Sequence, residues 1–335
     1  MLGFYWVFLF ILSYSLTWLL RRYALVANLM DIPNHRSSHL VPTPRGGGVS
    51  FVVCFLTSVV FLFYLKFISS ALFFTLIIGG SFIAMLGFLD DRNNISAQWR
   101  LSGHFAASIF ALYLLGGMPS IPFFAWTLTG SLVTSSLAVL YLVWLLNLYN
   151  FMDGIDGIAA VEAITVLLGG GMLYYLSGHF NELFLPLCLM FAVAGFLCWN
   201  FPPARIFMGD AGSGFLGFVL GVLSIQAATI DGHFFWGWLI LSGVFITDAT
   251  ICLLRRAMRG ESLFQAHRSH AYQYAARYYG KHLPVTLGVL LINLLWLLPI
   301  AIGVGCGIVN GGLGLLIAYL PLIGLALKFQ SGKKE

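Results

Sequence analysis

Long apolar stretches alternate with short polar connections from one end of the chain to the other. The stretches fall near 2–20, 48–65, 70–89, 99–116, 128–146, 158–177, 183–199, 212–229, 234–254, 283–302 and 305–327. Each is close to the roughly 20 residues that carry a helix across the hydrocarbon core of a bilayer. The pattern predicts an all-α polytopic bundle of about eleven transmembrane helices forming one domain over residues 1–335. The first stretch has no lysine or arginine ahead of it and no small-residue cleavage site after Leu20, so it is expected to remain as the first helix.

Composition narrows the solvent. Of 335 residues 60% are hydrophobic and 9% charged, against roughly 25% charged in a soluble domain, too few to cover a water-facing surface. With the amino terminus outside, sixteen lysines and arginines fall on cytoplasmic connections or the carboxyl tail, leaving Lys66 alone outside. The positive-inside rule therefore predicts an external amino terminus and a cytoplasmic carboxyl terminus. The net charge of +5 becomes a property of one face, suited to anionic headgroups and phosphorylated substrates. No nucleic-acid module is visible. Cys54, Cys188, Cys198, Cys252 and Cys306 lie inside apolar stretches without a C-x-x-C pair, which predicts packing residues and neither a zinc site nor a disulfide framework.

A charged side chain at mid-bilayer costs about 2.5–3.5 kcal/mol, so carboxylates at helix ends need partners or a function. Asp90 and Asp91 end the third stretch in GFLDDRNN. They read either as a helix-end solvation signal with Arg92 as counter-ion, or as two close acids supplying a base or a cation site. Trp144, Asn147, Asn150, Asp153 and Asp156 recur every three residues, within about 60° of one another on a helix surface. Gly154 and Gly157 then permit the backbone to unwind beside a ligand. In MGDAGSG, Asp210 precedes a glycine-rich helix entry where it could hold a cation while backbone N–H groups face phosphate oxygens, or simply cap the helix.

The segment from Arg255 to His282 contains the string Ala266-His267-Arg268-Ser269-His270. His267 and His270, three residues apart, would share one face of a short helix with Arg268 beside them, suiting a diphosphate; an interfacial basic helix on anionic lipid is the competing reading. His-x-x-His also suits zinc, but no third protein ligand is evident. The first inside loop, DIPNHRSSHLVPTPRGGGVSF, offers Arg36, Arg45 and three glycines to an anionic ligand, or is turn chemistry alone. Glu162 and Asp248 lie inside apolar stretches near the inner face, as structural partners or site residues.

Together these residues resemble the polyprenyl-phosphate N-acetylhexosamine-1-phosphate transferases, the MraY/WecA superfamily of glycosyltransferase family 4 type. The resemblance rests on the LDD of Leu89 to Asp91, the N-x-x-N-F-x-D-G-x-D-G of Asn147 to Gly157, the GDAGS of Gly209 to Ser213 and the HRSH of His267 to His270. The opening DIPNHRSSH and PTPRGGG most resemble the WbpL-like branch that begins O-antigen synthesis. The resemblance implies Asn150 and Asp210 as ligands of Mg²⁺, with Mn²⁺ as a substitute, and Asp90 and Asp91 as the catalytic acidic pair at the lipid phosphate. It further implies Asn147, Asp153, Asp156, Arg45 and Gly209 at the nucleotide and substrate, and His267, Arg268 and His270 at the diphosphate.

The implied enzyme is a phosphotransferase of the bacterial inner membrane. It moves an N-acetylhexosamine-1-phosphate from a UDP-sugar to undecaprenyl phosphate, releases UMP, and initiates O-antigen, lipopolysaccharide or related cell-envelope polysaccharide. Cytoplasmic loops near 21–47, 90–98, 147–157, 200–211 and 255–282 are expected to form the active site, and a homodimer is compatible with the resemblance. Two rivals follow from the residues. Asp153-x-x-Asp156-Gly157-x-x-Ala160 copies the start of the CDP-alcohol phosphotransferase signature, but Val161 stands where arginine is required and Tyr174 at the next aspartate. An ion-coupled transporter would place carboxylates at mid-bilayer within an inverted repeat, and neither is found.

Overall fold

The computed structural model describes residues 2–33, 38–39, 41–93, 95–261 and 267–334; Arg36 and Ala266 lie outside the described residues. Fifteen helices and two short hairpins follow one another along them. The helices are α1 (Leu2–Val26), α2 (Val49–Tyr64), α3 (Ser70–Phe74), α4 (Ser81–Asn93), α5 (Ala97–Leu114), α6 (Leu132–Met152), α7 (Ile158–Leu176) and α8 (Phe184–Asn200). They continue as α9 (Asp210–Ile230), α10 (Gly232–Leu241), α11 (Gly243–Met258), α12 (Ala271–Tyr279), α13 (Leu283–Ile292), α14 (Leu298–Gly305) and α15 (Gly311–Lys328). Wider π turns over Thr75–Gly80 and Asn293–Leu297 join α3 to α4 and α13 to α14. The hairpins are β1 (Met30–Asp31) with β2 (Thr43–Pro44), and β3 (Ile121–Phe123) with β4 (Trp126–Leu128).

Every apolar stretch of the sequence is helical, because in lipid only a helix satisfies its own backbone without a closed barrel. Among the described residues seven helices are long and apolar enough to cross a membrane, eight if α10 and α11, bent by 68°, count as one. The protein is a polytopic helical membrane protein. The other stretches differ for local reasons. α2 and α8 are apolar but only 16 and 17 residues long, short of about 20. α5 begins with Gln98, Arg100, Ser102 and His104, which lower its apolarity.

Large apolar side chains such as Phe4, Val26, Tyr113, Leu132 and Leu295 stand exposed on the outer surface. α9 is the reverse: every residue from Ala211 to Ile225 is buried, so this apolar helix is enclosed by the others. Small residues let neighbouring backbones reach it. A Cβ at Gly217 would lie 2.4 Å from the carbonyl oxygen of Leu145, so α6 and α9 touch main chain to main chain.

The first loop is laid onto the segment before α9 by main-chain bonds. Phe207 N–H donates to Pro44 O at 2.8 Å and Gly47 N–H to Phe207 O at 2.9 Å. This exchange carries Arg45, which directly follows β2, to the start of α9.

Candidate active site

The helix ends meet where α4 runs past the first turn of α9. A Cβ at Gly87 would lie 2.4 Å from Asp210 O, so only glycine lets the two helices approach this closely. One turn further on, Asp91 accepts from the backbone N–H groups of Asp210 at 3.0 Å and Ala211 at 3.4 Å. A carboxylate is thus held on the positive end of α9, where both unpaired N–H groups and the helix dipole favour it. Gly209, at φ +80°, supplies the left-handed turn, and a Cβ there would lie 2.7 Å from Asp91 Oδ2.

One guanidinium bridges two acids. Arg45 Nη2 lies 2.7 Å from Asp91 Oδ1 and 2.6 Å from Asp210 Oδ1. Burial opposes the charge on Arg45, but the Asp210 and Asp91 carboxylates outweigh it and raise its pKa further. Behind them, Arg100 Nη1 pairs with Asp90 and stands 3.6 Å from Asp210 Oδ2. Asp90 therefore faces α5, and Asp91 faces α9.

A cavity of about 190 Å³ opens beside this network. Arg45, Asn150, Asp153, Asp156, Gly209 and Asp210 all line it, together with His39, Phe207, Gln273 and His282. Asn150 donates to Ser213 Oγ at 3.3 Å, leaving its carbonyl oxygen as a donor atom for a cation. Asn147 donates to Val143 O at 2.6 Å and lines a smaller cleft shared with Arg100 and His104.

α6 ends at Met152 and α7 begins at Ile158, so Asp153 and Asp156 sit in the turn between them. Asp153 keeps partial exposure into the cavity. Its pKa is pushed well above the carboxylate range by burial first and then by the negative charge of Asp210, with Arg45 opposing. Asp156 Oδ2 accepts from Ala204 N–H at 3.0 Å, and its Oδ1 lies 3.1 Å from His282 Nδ1. His282 Nε2 reaches Ser38 O at 3.2 Å, tying the first loop to the 153–157 turn. Burial lowers the His282 pKa, but Asp156 outweighs it and holds the imidazole above its ordinary value.

The HRSH segment takes a different position. His267, Arg268 and His270 do not line the cavity; Gln273, from the helix they introduce, does. Tyr272 donates to Phe151 O at 3.0 Å, and its hydroxyl occupies the space a Cβ on Gly154 would need. Asp248 accepts from Ala271 N–H at 2.8 Å and Tyr272 N–H at 3.0 Å, anchoring the start of α12 to α11. His270 is buried 3.8 Å from Asp248 Oδ1. Burial opposes its protonation, yet Asp248 and Cys252 bring its pKa up to about 9. His267 is pushed down to about 3 by burial and by the neighbouring His270.

Arg100, His282, His39 and Phe207 were not singled out by motif reasoning. Arg100 carried a signal: a cation in the first turns of α5 opposes the helix dipole and calls for an anionic partner. His282 carried none, since its partners lie 126 and 244 residues away.

Asn150, Asp153 and Asp210 offer oxygen donors to the cavity, the kind that suits a hard divalent cation. The family described as Glycosyl transferase family 4 matches residues 73–228, which include Asp90, Asp91, Asn147, Asn150, Asp153, Asp156, Gly209 and Asp210. The chain is 27% identical over 264 residues to the "Probable undecaprenyl-phosphate N-acetylglucosaminyl 1-phosphate transferase" of Bacillus subtilis (strain 168), covering 76% of this chain and 72% of that one. It is 28% identical over 242 residues to the phospho-N-acetylmuramoyl-pentapeptide-transferase of Streptococcus pyogenes serotype M4, covering 67% and 69%. The chain belongs to the MraY/WecA superfamily. A longer match within that superfamily is the decaprenyl-phosphate N-acetylglucosaminephosphotransferase of Mycobacterium tuberculosis (strain ATCC 25618 / H37Rv), 27% identical over 333 residues, 89% of this chain and 80% of that one. As a superfamily member the protein is a sugar-1-phosphate transferase.

Proposed function

We propose that the protein transfers an N-acetylhexosamine-1-phosphate from a UDP-sugar to undecaprenyl phosphate on the cytoplasmic face of a bacterial inner membrane, releasing UMP and beginning O-antigen or related surface-polysaccharide synthesis. In this reading eleven membrane crossings place the amino terminus outside and the carboxyl terminus inside. The observation that carries the reading is the convergence of Asp153, Asp210 and Asn150 around one cavity with Arg45, which Asp91 holds from behind. The relatives' names supply the substrate classes.

One diphosphate bond replaces another, so the task is to hold two anions together and offset charge at the transferred phosphorus. Asn150 and Asp210 would hold Mg²⁺, which supplies charge neutralisation at the diphosphate. The residues fit such an ion: Asp153 and Asp210 line one cavity with Asn150, and burial and then the charge of Asp210 push the Asp153 carboxyl towards its neutral form, which a cation there would reverse. Arg45 and Arg100 fix the orientation of Asp91, Asp210 and Asp90. Asp90 or Asp91 would take the proton of a lipid phosphate that binds protonated. His267, Arg268 and His270 stand outside the cavity, so this reading gives them no contact with the diphosphate.

The test incubates membranes containing the protein with undecaprenyl phosphate and a panel of UDP-sugars, with Mg²⁺ or EDTA. A lipid-linked sugar diphosphate that forms with one donor and vanishes with EDTA is expected. Product formation independent of any UDP-sugar would refute the donor class.

A further inference from the structure

Cys252, His267 and His270 present donor atoms that all lie within 4.8 Å of one another, away from the oxygen-rich cavity. We propose that these three side chains bind a zinc-type divalent cation, leaving the fourth coordination position to water. Cys252 supplies the third ligand that His-x-x-His alone lacks.

The chain builds the cluster from two pieces. Asp248 and Cys252 are four residues apart on α11 and so share one face. Asp248 anchors the N-terminus of α12 through Ala271 and Tyr272, which lowers His270 onto that face. From the other side Gly332 N–H donates to Ser269 O at 2.6 Å, and Ser331 Oγ to Asp248 Oδ1 at 2.6 Å.

Without an ion, one buried polar atom here is left unserved. Cys252 Sγ lies 3.5 Å from Ser269 O and Oγ, an ordinary distance for a thiol, and His267 Nδ1 lies 3.0 Å from Ser269 Oγ. His270 Nδ1 is fully buried with no hydrogen-bond partner. Buried polar atoms in this condition call for an explanation, an ion among them.

One thiolate with two imidazoles selects a borderline-soft metal rather than Mg²⁺, which distinguishes this cluster from the carboxylates around Asp210. Metal–ligand bonds of about 2.0–2.3 Å imply donors roughly 3.5 Å apart, so the side chains need to draw in by about 1 Å. Asp248 already accepts three hydrogen bonds. It therefore holds the start of α12 in place rather than acting as a direct ligand. The nearby positive charge of Arg256 is met by Glu261 at 3.0 Å. On binding, Cys252 loses its thiol proton and the imidazolium of His270 its extra proton, both to solvent.

The test uses the full chain in detergent, stripped with EDTA and titrated with Co²⁺, read by absorbance without substrate or turnover. The expected result is one equivalent of Co²⁺ giving a sulfur-to-cobalt charge-transfer band and strong tetrahedral d–d bands, displaced by Zn²⁺. Asp210→Ala retains the spectrum; Cys252→Ser, monodisperse on size exclusion, loses the charge-transfer band. A wild-type protein with no charge-transfer band, or a Cys252→Ser variant that keeps it, overturns the site. Because the readout is binding alone, failure of the transferase reading leaves this result interpretable, and the reverse holds.

Discussion

Asp91 accepts the backbone N–H of Asp210 at 3.0 Å although 119 residues separate them in the chain. The bond places one acidic motif on the helix terminus that opens the next, and makes Asp91 part of the fold as well as of the site. Asp91→Ala strips the acceptor from two backbone N–H groups and the partner from Arg45, which should cost about 1–3 kcal/mol. Asp91→Asn keeps one oxygen and should melt between the two. Thermal unfolding in detergent ranks the three proteins, and an Ala variant as stable as wild type would remove Asp91 from this structural role.

Asp210→Ala and Asn150→Ala should each abolish lipid product while leaving expression and membrane insertion intact. Arg45→Ala should lower turnover about a hundredfold, the scale of losing one fixed donor at a developing charge. Initial rates with labelled donor decide both, and wild-type turnover in either of the first two variants would refute the metal assignment.

His282 joins Asp156 to the first loop, and its folded-state pKa lies above the ordinary value of about 6.5. The stability it contributes is fully present below that ordinary value and is lost as pH rises through the higher folded value. His282→Gln should therefore flatten the fall in melting temperature as pH rises above about 6.5. An unchanged slope in the variant would assign the dependence to another group.

Glu162 is wholly buried and is met by Asn293 Nδ2 at 2.6 Å, which also donates to Thr165 Oγ1 at 2.7 Å. Asn293→Leu leaves that carboxyl without its donor and should destabilise by about 1–3 kcal/mol. Adding Glu162→Leu should recover part of the loss, because two apolar partners are cheaper than one stranded polar group. A double variant less stable than the single would show that Glu162 has a further partner.

Lipid made the helices legible: long apolar runs admit little else, so each one became helical. The breaks were not legible. The π turns over 75–80 and 293–297 and the bend between Leu241 and Gly243 lie in runs whose composition resembles their surroundings. The acids stood out because charge is rare in such a chain, and Asn150, Asp153, Asp156 and Asp210 do converge on one cavity. Their counter-ions were hidden by distance, Arg45 meeting Asp210 across 165 residues. Cys252 has apolar neighbours in the sequence and so looks like a packing residue there, and only the folding of α12 onto α11 brings the imidazoles beside it.

The bridging position of Arg45 bears on where the chain can be cut. The stretch shared with the family, 73–228, holds Asp90, Asp91, Asp153, Asp156, Asp210 and Arg100 but neither Arg45 nor His282. Expressed as a fragment, it would leave behind the guanidinium that bridges Asp91 and Asp210 and the imidazole beside Asp156, so repulsion among the acids would be only partly offset by Arg100. The most recognisable portion of this protein is therefore not a unit that can stand without the segments on either side.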